Sequence, residues 1–311
     1  MMSPPVETPV PAPGHEALDP VARIAAFART ASFETTHLTD QQIAEVVAAA
    51  RPGSTVYIAA IPSRPLSEQI DTAASMHKAG FEPVPHLAVR NFHSVEEMET
   101  HLRRLMDEAG AVRALVIAGD RPDPAGSLFD ALAAIRSGVL QRHGLKEIGI
   151  SGYPDGHSRI SDAQLAQALT DKLAAAKDAG LKVRIVTQFT MSTQPILDLV
   201  TGLRARGIDN PVSVGLAGPA SMATLLRFAK ICGVKTSVQG LARNAGLLKN
   251  LIGAATADPI VRALSATEGL GDINPHFFSF GGLPATARWV AAAASGRIKL
   301  NKDGFEILQS K

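Results

Sequence analysis

A handful of polar residues, far apart in the chain, would be able to do chemistry if a fold gathered them: Glu34, His86, Asp120, Tyr153, His157, Thr187 and Gln188. Two carboxylates, Glu34 and Asp120, are the pair a glycoside hydrolase needs. One Trp and two Tyr in the whole chain, however, leave little aromatic surface for stacking sugars. His86, His157 and Asp120 make a sparse set for a metal hydrolase. A Schiff-base aldolase needs a lysine where a strand ends, and Lys182 precedes its apolar run. Taken singly, each residue also has a structural reading. Glu34 would cap a helix, Asp120 would order the Arg-Pro-Asp-Pro turn after it, and His86 beside Pro85 would be a satisfied core histidine. Tyr153 would pack and Gln188 would bond a loop.

What tips the balance is where these residues fall along the chain. Short β-branched or apolar runs occur at 31–36, 55–60, 82–89, 114–119, 147–153, 183–189, 211–217 and 276–281. Such unbroken runs suit strands buried on both faces of a parallel sheet. Between them lie Ala- and Leu-rich stretches with helical spacing, such as DQQIAEVVAAARPG and SDAQLAQALTDKLAAAKDAG, each closed by a glycine. Eight strand–helix units in roughly 280 residues predict an α/β fold, a single (β/α)8 TIM barrel over 19–311. A doubly wound open sheet would carry a glycine-rich turn after its first strand, where FETTHLTD stands instead. The stretch from about 233 to 270 exceeds one crossover and predicts extra helices between strands seven and eight. In a barrel the catalytic rim is at the C-terminal ends of the strands, and the polar residues named above all fall there.

Composition narrows the function classes. The chain has 311 residues, 46% hydrophobic and 19% charged, with a net charge of +2. Scattered Lys and Arg give no basic footprint for nucleic acid. The one cysteine, Cys232, excludes an internal disulfide framework and a multi-cysteine zinc site, and we read it as a buried helix residue in a reducing, cytoplasmic setting. No run reaches the eighteen or so apolar residues of a membrane span. The first 18 residues, rich in proline and lacking the pattern of a secretory signal, are expected to be a disordered tail. SVQGLARNAGLL reads as a lid or partner-facing helix, with Arg243 a candidate for a nucleotide phosphate.

With SFE at the first strand, the motifs PHLAVRN, VIAGDRPDPAG, GYPDGH and TQF follow one another from about residue 30 to 295 in an order and spacing that resembles the methylenetetrahydrofolate reductase family. YPDGH resembles that family's Tyr-Pro-Glu-x-His signature, and IAGD, with Gly119 and Asp120, its Arg-Gly-Asp turn. The resemblance implies a (β/α)8 barrel that interconverts methylenetetrahydrofolate and methyltetrahydrofolate by hydride transfer with NADH or NADPH. That reaction belongs to the one-carbon metabolism that feeds methionine biosynthesis. It also implies roles. Glu34 stands where the family's general acid protonates the bridging nitrogen, and such an acid needs its pKa raised by burial. Asp120 matches the carboxylate that contacts the pterin and modulates the flavin, Gln188 the pterin-binding glutamine, and Phe228 an aromatic stacked on substrate or nicotinamide. His86, Gly119, Asp120, Tyr153, His157 and Lys172 match positions that hold FAD. Family members often associate, so a homo-oligomer is consistent with the resemblance.

The departures from the pattern fall mostly on the flavin side. Ala118 replaces the arginine before Gly-Asp, Ala59 or Ala60 a threonine after the second strand, and the acidic residue in the helix before Lys172 is missing. Gly282 stands where a substrate-engaging arginine is expected, with Arg288 a few residues on. The longer strings PHLAVRN, AGDRPDPAG, YPDGHSRI and PVSVGLAGPAS are closer to a divergent branch in which NADH reduces the folate directly, without flavin. Two other readings stay open: a folate-pocket methyltransferase or lyase, and a non-catalytic folate-binding protein.

Overall fold

The computed structural model describes residues 19–234 and 255–309. The predicted tail, the SVQGLARNAGLL segment and Arg243 lie outside the described residues. The apolar runs become eight parallel strands: β1 (Ser32–Thr35), β2 (Thr55–Ile58), β3 (Glu82–Ala88), β4 (Arg113–Ile117), β5 (Glu147–Gly152), β6 (Lys182–Thr187), β7 (Val212–Ala217) and β8 (Ile273–Phe278). Each pairs with the next and β8 closes onto β1, giving a closed barrel. The chain therefore folds as a (β/α)8 barrel.

The helices outside the barrel are α1 (Pro20–Arg29), α2 (Asp40–Ala49), α3 (Leu66–Lys78), α4 (Val95–Ala109), α5 (Ala131–Arg136), α6 (Val139–Arg142), α7 (Asp162–Asp178), α8 (Thr193–Ala205), α9 (Met222–Ile231), α10 (Asp258–Ala266) and α11 (Leu283–Ala294). Their starts are written in the sequence. Thr39 with Gln42 and Ser161 with Gln164 form capping boxes that satisfy the first free N–H groups of α2 and α7. The main core lies between strands and helices, where Ile58, Leu87, Leu102, Ile148, Ile185 and Val261 are fully buried.

Three details differ from the sequence reading. The last strand begins at Ile273, three residues before the predicted start, because Asn274-Pro275 reads as a turn but is carried within the barrel ladder. After β4 the chain makes two short helices, α5 and α6, where one was expected. A small antiparallel pair, β9 (Ile298–Leu300) and β10 (Phe305–Ile307), follows α11 and was not predicted. Of the extra helices expected between strands seven and eight, α10 falls among the described residues.

Candidate active site

Side chains alternate across a strand, so Ser32 and Glu34 of β1 share one face, and the contacts they make lie inside the barrel. Glu34 sits at the C-terminal end, as predicted, and its surroundings define the site. One carboxylate oxygen, Oε2, lies 3.4 Å from His276 Nε2 and 3.4 Å from His86 Nε2. The His276 contact is a hydrogen bond, whereas His86 Nε2 has no hydrogen-bond partner. His276 is wholly buried and its other nitrogen, Nδ1, is 3.0 Å from Ser32 Oγ. Tyr57 of β2 packs edge-on against both imidazoles, with centroids 4.6 Å from His276 and 6.2 Å from His86.

This cage overturns one expectation. Burial pushes the Glu34 carboxyl up, but the charge of His86, the hydrogen bond from His276 and that histidine's charge outweigh it, holding the pKa down to about 2. Glu34 therefore rests as a carboxylate and must take up a proton before it can give one.

Behind the cage, the barrel wall is braced by polar groups inside the helix layer. The buried Gln69 of α3 donates from Nε2 to the carbonyls of Ile58 and His86, tying β2 to β3 at the site, and its Oε1 accepts from His101 Nε2 at 2.9 Å. Burial first, and the Arg104 charge second, press the His101 pKa down to about 4, so this imidazole is neutral at neutral pH. Gly215 of β7 accepts close approach by the β6 end. Its N–H bonds Thr187 Oγ1 at 2.8 Å, and a β-carbon there would run into the Thr187 carbonyl.

The remaining predicted residues take varied positions on the rim. Asp120 is exposed in the loop after β4. That loop is fastened by Arg90, whose guanidinium donates to the carbonyls of Phe129 and Arg121. Gly119 turns the chain into the loop with φ +89°, where a β-carbon would also press on Ala88. Gln188 is half-buried just past β6, its backbone N–H bonded to the Gly152 carbonyl. Phe228 of α9 stacks on Phe280 at 4.3 Å and 16°, and Phe189 and Phe278 complete an aromatic cluster beyond the ends of β6 and β8. Cys232 closes α9 half-buried rather than buried as expected. Burial and the nearby carboxylates of Asp120 and Glu34 push its thiol up to about 12.

The flavin-side residues are less well gathered. Tyr153 and His157 pack edge to face at 5.5 Å after β5. Lys172, in contrast, is buried on α7, its pKa lowered by burial and partly restored by Asp130. Arg288, considered above as a substitute for the missing C-terminal arginine, lies on the outer surface in an ion pair with Glu45. Sequence reasoning missed His276, Ser32 and Ser279. His276 stands mid-strand once the true start of β8 is known. Ser279 follows β8, takes its N–H to the Glu34 carbonyl, and leaves a buried Oγ without a protein partner. Among the described residues no three His, Cys, Asp or Glu side chains converge as a metal site, and no helix is long and apolar enough to cross a membrane.

Comparison with known proteins gives two kinds of match. The model of the family described as methylenetetrahydrofolate reductase matches residues 55–250. Among solved structures, the chain resembles dihydropteroate synthase from Thermus thermophilus at 14% identity, with a TM-score of 0.42, over 84% of this chain and 90% of that one. A second structure of that enzyme, in complex with 6HMPPP, aligns at 14% identity and a TM-score of 0.44, over 85% of this chain and 92% of that one.

Proposed function

The chain belongs to the methylenetetrahydrofolate reductase family, and from that premise we propose that it moves a hydride between NAD(P)H and the one-carbon unit of methylenetetrahydrofolate. In the reductive direction one proton and one hydride are consumed. Protonation of the bridging nitrogen lets its bond to the methylene carbon break, with the bonding pair staying on nitrogen. The carbon, left as an iminium on the other nitrogen, accepts the hydride and becomes a methyl group. Glu34 is the proton donor, Asp120 and Gln188 hold the pterin, and the cluster around Phe228 and Phe280 offers a flat face for an aromatic ring. The observation that carries this reading is the Glu34 cage at the catalytic end of the barrel, with the buried Ser279 Oγ, which has no protein hydrogen-bond partner, beside it.

The family's FAD fits this chain poorly. A pyrophosphate needs cations or free N–H groups, yet Ala118 removes one arginine and Lys172 is buried away with Asp130 as its compensating charge. Arg90 spends its guanidinium on loop carbonyls. His86, a flavin contact by resemblance, is drawn into the Glu34 cage. Tyr153 and His157 pack on each other on that flank. We therefore assign direct transfer from the nicotinamide to the folate, for which correct placement of the two rings suffices.

The test is one cuvette of purified protein, NADH or NADPH and methylenetetrahydrofolate, followed by nicotinamide and flavin absorbance. Folate-dependent loss of NAD(P)H absorbance without a flavin band is the expected outcome. A flavin band that bleaches with NAD(P)H and recovers with folate would refute direct transfer. No change in nicotinamide absorbance, despite folate binding, would refute the reductase itself.

A further inference from the structure

A cleft leads off the rim where β5 ends, outside the barrel wall. Helix α7 packs on α5 and α8 packs on α10, so α7 and α8 leave between them a cavity of about 590 Å³. That is within the range of small-molecule sites. Its walls are apolar, with Leu165 and Leu169 from α7 and Leu199 and Leu203 from α8. Its upper end is bordered by the rim loop 153–156 and carries two carboxylates, Asp162 of α7 and Asp198 of α8. Its lower end is closed by Arg206, which donates to Thr170 Oγ1 of α7 at 3.5 Å. Two glycines keep the space clear. A β-carbon on Gly152, at the end of β5, would press on Ile185 at 3.0 Å and touch Leu199 at 3.6 Å. Gly202 of α8 is a different case, because a β-carbon there would meet nothing within 4 Å. Only proline is a poorer residue inside a helix than glycine. The fold has no steric need of Gly202, and what that residue leaves is room along the α8 wall of the cleft.

We propose that this cleft binds the adenosine half of the nicotinamide dinucleotide, with the nicotinamide turned over the rim toward the Glu34 cage, and that Asp162 and Asp198 select NADH over NADPH. The inference rests on the hydride-transfer reading, which requires a nicotinamide at the mouth of the barrel, and it says where the rest of that molecule goes. The parts of the ligand match the parts of the cleft. Adenine is a flat ring with apolar faces, and a slot between paired leucines takes such a ring. The ribose carries neighbouring hydroxyls, which are donors for a carboxylate at the entrance of the slot. Gln194 Nε2 donates to Asp198 Oδ1 at 2.7 Å and so orients that carboxylate. A 2′-phosphate in the same place would meet two like charges, which excludes NADPH without weakening NADH. The pyrophosphate crosses the rim loop, where the exposed Arg159 is the cation at hand. Holding the adenosine outside the barrel wall also leaves the mouth to the two reacting rings. Nicotinamide and pterin can then both reach the cage, with the face of Phe228 and Phe280 still free of adenine.

The experiment uses ADP-ribose, which keeps the adenosine and the pyrophosphate but lacks nicotinamide, titrated into the full chain by calorimetry. Wild type should bind it, with an affinity unchanged within about twofold when methyltetrahydrofolate saturates the mouth, as expected of ligands on separate surfaces. Displacement of ADP-ribose by the folate, or no binding at millimolar concentration, would overturn the assignment. That measurement needs no variant. Gly202→Trp fills the cleft from a helix position where a larger residue brings no strain. It should raise the Kd for ADP-ribose and the KM for NADH about tenfold, the scale of one lost ring contact. The KM for methylenetetrahydrofolate should stay as in wild type. Unchanged ADP-ribose and NADH values in a Gly202→Trp protein that melts at the wild-type temperature would also overturn it. The choice of nucleotide is tested with Asp162→Asn combined with Asp198→Asn. Wild type should favour NADH over NADPH in kcat/KM by about tenfold, and the double variant should lose most of that margin. A wild type that prefers NADPH, or a margin unchanged in the double variant, would overturn the role of the carboxylates. Failure of the hydride-transfer reading looks different, since wild type would then oxidise no NAD(P)H however well ADP-ribose binds.

Discussion

The seam of β1, β3 and β8 and the flank that follows β4 and β5 sit on the same rim, yet they are built to different standards. On the seam, Glu34, His86, His276 and Ser32 converge within hydrogen-bond or near hydrogen-bond distance, are largely buried, and are braced by Gln69 and His101 from outside the barrel. On the flank, Asp120 is exposed in a loop, Tyr153 and His157 pack on each other, and Lys172 is turned into the helix layer. A proton-handling centre gains from being fixed before substrate arrives, because reorganisation then costs nothing during the reaction. Under the direct-transfer proposal, a flank that is not pre-built fits a redox partner that binds as a passing substrate. The two regions thus differ in how far their side chains are brought together: those of the seam contact one another in a buried cage, and those of the flank are exposed, paired with each other or buried apart.

The most severe way to break this comparison is Glu34→Gln. If the seam holds the catalytic acid, kcat should fall by about 10²- to 10⁴-fold with little change in KM, the usual yield of a positioned acid. Steady-state NAD(P)H oxidation at saturating folate checks it. A variant that keeps its turnover would leave the cage as a structural feature and move the chemistry elsewhere.

Stability against pH sharpens the same contrast at a smaller scale. His101 titrates near 4 when folded and near 6.5 when unfolded. Between those values the unfolded chain binds the extra proton, so stability rises with pH there. The contribution is fully present above about 6.5 and is lost as pH falls toward 4, on the order of 3 kcal/mol at most. Glu34 follows at lower pH. Its folded value of about 2 against 4.5 unfolded gives stability present above 4.5 and lost as pH falls through 2. Urea melts from pH 7 to 3 should show the first loss in wild type and its removal in His101→Gln. Equal slopes between pH 6.5 and 4 in the two proteins would show that His101 does not brace the seam.

How much of this was legible beforehand differs between the same two regions. The barrel was readable because buried parallel strands leave unbroken apolar runs and helices end in glycine, both local signals. Glu34, His86 and Asp120 were readable as strand-end residues for the same reason. His276 was not, because Asn274-Pro275 disguises the start of β8 and so hides that the histidine is mid-strand and inward. Ser32 was not, because a serine two residues before a glutamate carries no signal until β1 and β8 are known to close the barrel. The low pKa of Glu34 was out of reach too, since it depends on two histidines 52 and 242 residues away along the chain.

The smallest expected effect is the one that tests the flank. Lys172 is buried with a lowered pKa, its ammonium compensated by Asp130. Lys172→Met keeps the length of the side chain and removes a charge whose desolvation costs free energy, so stability should be unchanged or slightly higher. If no cofactor phosphate is held there, kcat and both KM values should stay within about twofold, less than the loss of one charge-assisted hydrogen bond would cause. Thermal melts and the same absorbance assay check both halves. A large rise in KM for NAD(P)H, or a flavin lost on purification from the variant but not from wild type, would mean that Lys172 swings out to a phosphate. The flank would then be a binding site assembled by its ligand, and the contrast with the seam would be one of timing rather than of function.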